Sequence, residues 1–409
     1  MAPDPPAGSA RSLLPVLAAA GISGIAGYVV LVLAARALDP ADAAQFLVFW
    51  SVLFAVFGVL IGVTTETTRA VFAARASEAA TTRIVPVTLG LGTVVVVVVG
   101  VTSPVWGPHQ LGEGWPGLVA AILVGVGLFV VHCTLGGVAA GRADWPTYST
   151  LVSLESLMRL ALCGVAGVLC THVLGLAWAV AGACGTWILL SAVSRRQRQL
   201  WGARTDATPR GFLRRLITSC TASGVSALLL VGYPMLVKAT TPDAVFDGAA
   251  PIILAISLCR APLLVPLGAY QNVVVTRVAT HGLRALVPVS VGIAGLTLVG
   301  AAAAWPVGPW VLRLVNPAYH VDGAVFTGLV VGAGLVAALT VSGAAAVALD
   351  HHTVYLVGWI AATLAAFAVL LTPWSLEPRV VVSLLVGPVV GVAVHLGLGR
   401  RGSADHRFG

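Results

Sequence analysis

Residues 44–65 read AQFLVFWSVLFAVFGVLIGVTT, twenty-two consecutive positions without a charge. About 18 or more apolar residues with few or no charges are enough to cross the hydrocarbon core of a bilayer as a helix. Charge returns only with Glu66 and Arg69, in the polar run Thr64, Thr65, Glu66, Thr67, Thr68, Arg69. Eleven further apolar runs flank this one, near 13–35, 84–103, 117–139, 149–170, 173–193, 216–237, 248–275, 286–305, 323–349, 354–372 and 380–398. The expected fold is therefore an all-α integral membrane protein with about twelve transmembrane helices. Bulk composition agrees: 58% of the 409 residues are hydrophobic, 9% are charged and the mean hydropathy is +0.98. Soluble domains carry about 25% charged residues, so a soluble globular fold is excluded.

The net charge of +8 does not point to nucleic acid, because the basic residues are placed by membrane side. With the N-terminus inside, seventeen of the 23 Lys and Arg residues fall on the inner side and four (Arg36, Lys238, Arg313, Arg379) on the outer side. Basic loops stay preferentially cytoplasmic, so both termini are expected inside. The remaining two, Arg159 and Arg260, fall within spans. The run at 13–35 follows Arg11 and is too long for the roughly 7–15-residue core of a signal peptide, so it reads as the first span. The six cysteines lie in or at the ends of apolar runs and read as small packing residues.

The longest hydrophilic stretch, 194–215, bisects the chain. It separates an N-terminal six-helix lobe (13–193) from a C-terminal one (216–398), with cytoplasmic tails at 1–12 and 399–409. A degenerate repeat supports the division. Arg36, Ala37, Leu38, Asp39, Pro40 after the first run corresponds to Lys238, Ala239, Thr240, Thr241, Pro242 after the seventh, and Thr68, Arg69 corresponds to Thr276, Arg277. Parallel six-helix halves are a transporter pattern.

Charges inside a span cost about 2.5–3.5 kcal/mol even on insertion scales, so they face a partner or a cavity. Glu155 and Arg159 are four apart on one helical face, in the order that suits an ion pair. They read either as a self-neutralising structural pair or as a cavity arginine held by its carboxylate. Arg260 has no acid within one turn in sequence and precedes Pro262 and Pro266, which favours an anion-facing role. Glu66 and Arg69 close the second run at the inner mouth. Gln271, Asn272 and Arg277 sit at a matching depth in the eighth. Asp350, His351 and His352 read as a solvated loop rather than a metal site, and His132 as a hydrogen-bonded core residue. The chain's lysine, Lys238, follows Leu236 and Val237, so no Walker A loop exists, and the Gly-x-Ser-x-Gly and His-Glu-x-x-His motifs are absent. No catalytic residue, metal or cofactor is called for.

Three stretches resemble the polysaccharide flippases of the multidrug/oligosaccharidyl-lipid/polysaccharide (MOP) exporter superfamily. They are Leu33 to Phe46 with Thr68 and Arg69, Leu258 to Leu264 with Tyr270 to Arg277, and Pro309 to Tyr319, where Asn316 stands in place of the usual Gly. The resemblance implies two six-helix lobes around a cationic cavity that carries a polyprenyl-diphosphate-linked glycan outward across a bacterial cytoplasmic membrane. Arg159 and Arg260 would grip the diphosphate, Glu155, Gln271 and Asn272 would line the cavity, and Glu66, Arg69 and Arg277 would gather it at the mouth. Membrane lipids, and a glycan polymerase or glycosyltransferase, are the partners so implied. Lys238 and the scarcity of acids and aromatics in the cavity helices depart from the pattern. A small-solute or drug antiporter, a membrane glycosyltransferase or polymerase, and a non-catalytic partner in glycan synthesis are the competing readings.

Overall fold

A chain in lipid must satisfy its backbone hydrogen bonds within each segment, so apolar runs of this length become helices. The structure, a computed structural model, describes residues 9–75, 81–169, 172–349 and 351–405; side chains are not described at 9–14, 264–266, 268–277, 279–281, 283, 285 and 399–405. The elements are α1 (Ser9–Ala37), α2 (Pro40–Ala74), β1 (Thr82–Arg83), α3 (Ile84–Leu111), α4 (Trp115–Gly141), α5 (Trp145–Leu169), α6 (Val173–Ala183), α7 (Thr186–Val193), α8 (Arg195–Leu200), β2 (Arg204–Thr205), α9 (Pro209–Leu230), α10 (Tyr233–Ala239), α11 (Asp243–Phe246), α12 (Ala250–His281), α13 (Leu286–Val315), α14 (Gly323–Ala348), α15 (His352–Leu370) and α16 (Leu376–Asp405).

Among the described residues ten helical segments are long and apolar enough to span a membrane, or eleven when α9 and α10 count as one span bent by 64°. The expected twelve runs all fall on helices, and the count differs at two places. The seventh run is broken at Val231–Gly232. There Pro234 at the start of α10 cannot donate a helical hydrogen bond, and Gly232 sits where a Cβ would lie 2.7 Å from the Leu228 carbonyl oxygen. The eighth run lies on α12 from Ala250 onward; the side chains at 264–266 and 268–275 are outside the described residues, so the apolar stretch counted there is Ala250–Leu263.

The chain divides into two compact units. The first comprises Met1–Leu38 with Val48–Gly224, the second Asp39–Leu47 with Val225–Gly409. The division falls inside α9 and near the start of α2.

In the first unit α4 approaches α2 at Gly137 and Gly141, small residues four apart that let helix backbones come close. A Cβ on Gly137 would lie 2.7 Å from the Thr67 Cβ and 2.8 Å from the Thr64 carbonyl oxygen. The α2 hydroxyls use this proximity: Thr64 donates to the Cys133 carbonyl (3.2 Å) and Thr68 to that of Gly137 (3.3 Å). At one end of the unit β1 pairs antiparallel with β2, Thr82 opposite Thr205, and Arg142 donates to the Gln199 carbonyl at 3.2 Å. In the second unit α14, α15 and α16 pack together, tied by Ser342 Oγ with His395 Nδ1 (2.8 Å) and His395 Nε2 with the Tyr355 carbonyl (3.3 Å).

Candidate functional site

The buried stripe of α5 runs Leu151, Glu155, Arg159, Cys163, a ridge of i+4 steps with an ion pair set into its middle. Arg159 is 4% exposed and Glu155 5%. Arg159 Nη2 donates to Glu155 Oε2 at 3.1 Å and to Ser156 Oγ at 3.3 Å. The guanidinium also lies over two α2 rings, 5.1 Å from the centroid of Phe54 and 5.7 Å from that of Trp50. Trp50 and Phe54 stack at 4.1 Å.

The ring series continues from Phe54 to Phe57, from Phe57 to Phe129 of α4 (3.9 Å) and from Phe129 to His132 (5.4 Å). Three atoms in this cluster, Glu155 Oε1, Arg159 Nε and His132 Nδ1, are buried without a hydrogen-bond partner among the described residues. The pair is therefore single-stranded where a bidentate fork was available. The sequence exposes the i,i+4 pair; the aromatic wall opposite it comes from another helix about a hundred residues earlier.

Arg260 projects from α12 to the broken span of the second unit. It is 5% exposed, and its Nη1 donates to the Leu230 carbonyl at 2.9 Å and that of Leu229 at 3.4 Å, while its guanidinium lies 5.2 Å from the Tyr233 ring centroid. The last carbonyls of a helix lack intrahelical donors, and a cation there also suits the helix dipole. The carbonyls that meet Arg260 come from the end of α9, not from a kink at Pro262. Tyr233 in turn donates its hydroxyl to the Val380 carbonyl (3.2 Å) and hydrogen-bonds Ser383. The other end of α10 is held by Arg379 of α16, which donates to the Thr240 carbonyl (3.1 Å) and Thr241 Oγ1 (2.8 Å). Lys238 reaches Asp243 at 2.7 Å and lies over Phe246. Arg379 and Tyr233 had no signal in sequence beyond the Gly232–Pro234 pair that breaks the helix.

At the third place Glu66 is 5% exposed and receives a fork from Arg69, Nε at 2.7 Å and Nη2 at 2.6 Å, and a further bond from Arg215 Nε of α9 at 3.0 Å. Arg215 is the partner that local spacing does not disclose. Gln271, Asn272 and Arg277 belong to α12, but their side chains lie outside the described residues, as does Asp350. Among the described residues no group of three or more His, Cys, Asp and Glu is arranged to hold a metal. Cys133, Cys163, Cys184 and Cys220 are buried free thiols; Cys170 lies outside the described residues.

No protein-family model matches the chain. It is 38% identical over 392 residues to Uncharacterized protein Rv1510 of Mycobacterium tuberculosis (strain ATCC 25618 / H37Rv), covering 94% of this chain and 90% of that one. It is 35% identical over 388 residues to Rv3630 of the same strain, covering 92% and 89%. The chain belongs to the Rv1510 and Rv3630 family.

Solved structures share the chain's fold. An inward-facing multidrug resistance MATE family transporter of the MOP superfamily superposes with a TM-score of 0.72 at 16% identity, over 94% of this chain and 95% of that one. An outward-facing conformation of such a transporter gives 0.67 at 16% identity over 98% and 97%. A MOP superfamily transporter from Pyrococcus furiosus, described as having a binding pocket of reverse polarity, gives 0.61 at 14% identity over 94% of each chain. All three are transporters, and the Rv1510-family chain is a multi-pass membrane protein with the MOP transporter fold.

Proposed function

We propose that the protein moves a polyprenyl-diphosphate-linked glycan, or a related cell-envelope precursor, across a bacterial cytoplasmic membrane by alternating access, with both termini cytoplasmic. The observation that carries this reading is the half-used Glu155–Arg159 pair. A guanidinium buried to 4% exposure holds its carboxylate through one terminal nitrogen, and its Nε has no partner among the described residues. Arginine is the side chain suited to bidentate phosphate recognition. When the pair opens, the released fork offers two parallel donors to a diphosphate, and Glu155 keeps the hydrogen bond from Ser156 Oγ at 3.3 Å. Arg260 acts differently, bracing the broken α9–α10 span whose carbonyls it meets, and it reaches the headgroup only if that brace lets go. Glu66, Arg69 and Arg215 gather anionic headgroups at the inner end. Glycan polymerases or glycosyltransferases that make or consume such a lipid are the partners this activity requires.

The test is binding. Purified protein in nanodiscs should retain a fluorescent undecaprenyl diphosphate, and Arg159→Ala should weaken that retention at least tenfold while Arg159→Lys keeps part of it. Equal retention by all three proteins contradicts the proposal.

A second reading, export of a small aromatic or cationic solute, is favoured by one feature: the continuous ring wall Trp50, Phe54, Phe57, Phe129 beside a carboxylate. It requires ethidium or a similar dye to be extruded by vesicles and the diphosphate lipid to be ignored.

A further inference from the structure

At the end of α13 farthest from Arg284 the second unit contains a pocket of about 410 Å³, lined by Arg313, Tyr319, His320, Asp322, Gly323 and Glu377. Its size falls in the range of small-molecule sites, about 300–1,000 Å³. It is built by a short turn. Tyr319 N donates to the Asn316 carbonyl at 2.9 Å, and Ala318 N donates to Asn316 Oδ1 at 3.0 Å, which turns the chain after Pro317. Tyr319 is thereby 1% exposed, among the largest fully buried side chains, yet its hydroxyl has no hydrogen-bond partner among the described residues. An orphaned buried hydroxyl is costly unless a ligand or water meets it. Burial, with the Asp39 charge added, pushes the phenol up to about 12, so it stays a hydrogen-bond donor.

The other groups are equally uncommitted. Asp322 occupies the N-cap position of α14 but makes no side-chain capping bond. Arg313 spends its Nε on the Pro309 carbonyl at 3.2 Å, and its terminal nitrogens take no protein bond among the described residues. No ion pair joins Arg313 to Asp322 or Glu377 among the described residues.

The pocket thus sets donors (Arg313, the Tyr319 hydroxyl) beside acceptors (Asp322, Glu377), and the rings of Tyr319 and His320 form part of its wall. A phosphate would meet two carboxylates there, and a simple ammonium would meet Arg313. A ligand whose every hydroxyl both donates and accepts matches the polar groups of this wall, and the C–H face of a sugar ring suits Pro309, Val321 and the Tyr319 ring beside them. We propose that this pocket is a carbohydrate subsite that holds a neutral sugar ring between Arg313, Tyr319, Asp322 and Glu377. It lies in the other unit from the Glu155–Arg159 cluster, and sugar binding there does not depend on the diphosphate reading.

The experiment uses the full chain in nanodiscs with methyl α-glucoside, methyl α-mannoside, methyl β-galactoside, N-acetylglucosamine and maltose as probes. Binding is followed by saturation-transfer NMR and by calorimetry. At least one probe is expected to bind saturably in the millimolar range, with the affinity falling tenfold or more in Asp322→Asn and Glu377→Gln and several-fold in Tyr319→Phe. All three variants should keep the wild-type melting temperature within a few degrees, and Arg159→Ala should bind the same sugar unchanged. Binding by none of the five probes overturns the proposal. So does binding that survives both carboxylate substitutions in folded protein, or displacement of the sugar by tetramethylammonium at lower concentration than by a second sugar. Loss of diphosphate-lipid retention in Arg159→Ala with sugar binding intact supports both readings, whereas sugar binding in a wild-type protein that ignores the diphosphate lipid supports this one and removes the other.

Discussion

Replacing Glu155 by Leu should destabilise the first unit more than replacing Arg159 by Leu, although both remove the same 3.1 Å contact. In Glu155→Leu the guanidinium remains at a site that is 4% exposed, with Ser156 and the faces of Phe54 and Trp50 as its surroundings. Arginine cannot shed its proton in a protein. Breaking a buried pair from one side costs about 3–5 kcal/mol. Cation–π contacts of about 2 kcal/mol when desolvated hold part of the charge and set the cost at the lower end, about 3 kcal/mol. That is roughly a hundredfold in the unfolding equilibrium. In Arg159→Leu the carboxylate left behind keeps the hydrogen bond from Ser156 Oγ at 3.3 Å, so the cost is that of one incompletely satisfied buried acid, about 1–2 kcal/mol. The double variant Glu155→Leu/Arg159→Leu removes both charges from an apolar stripe and should recover to within about 1 kcal/mol of wild type, because isosteric apolar replacement of a buried pair is often neutral. Reversible SDS unfolding of the purified protein, followed by Trp fluorescence, measures all three. Equal losses in the two single variants, or a double variant as unstable as Glu155→Leu, would refute the reasoning and make the pair's geometry, not its charge, the stabilising element.

Other outcomes follow from the same structure. Arg260→Met and Arg379→Met should each speed hydrogen exchange of the amides around 231–241 by about tenfold or more, since each removes a charged donor from α9 or α10 carbonyls, a bond of about 1.5–3 kcal/mol; exchange unchanged in both would show that the α9–α10 break is held by packing alone. Gly137→Val should lower thermal stability by about 1–3 kcal/mol through overpacking against Thr67 and Thr64, whereas Gly127→Ala, where a Cβ meets nothing within 4 Å, should leave the melting temperature near wild type. Arg215→Ala should cost less than about 1 kcal/mol in denaturant titrations, because its side chain is 44% exposed and the Arg69 fork remains on Glu66.

The helices were legible because lipid allows a long uncharged run few other structures, so residues 44–65 announce α2 without help. The break between α9 and α10 was not, since Gly232 and Pro234 leave the hydropathy of the seventh run intact; only backbone geometry, with Arg260 supplied by α12, shows that the helix stops there. Glu155 and Arg159 were legible for a local reason, the i,i+4 spacing, and Arg260 for an energetic one, the cost of a charge in a span. Their surroundings were hidden because Trp50, Phe54 and Phe129 belong to other helices, and periodicity on one helix carries no record of which neighbour it meets. The pocket at Tyr319 escaped notice for the same reason: Glu377 is separated from Arg313 and Tyr319 by the whole of α14 and α15.

The most direct measurement is outward translocation of a fluorescent undecaprenyl-diphosphate disaccharide in proteoliposomes, comparing wild type with Arg159→Ala and Arg159→Lys at equal folded protein. Wild-type vesicles should move the lipid faster than protein-free vesicles, Arg159→Ala should fall to the protein-free rate, and Arg159→Lys should lie between. Wild-type and Arg159→Ala vesicles moving the lipid equally fast, or wild-type vesicles moving it no faster than protein-free ones, would contradict the diphosphate-carrier reading.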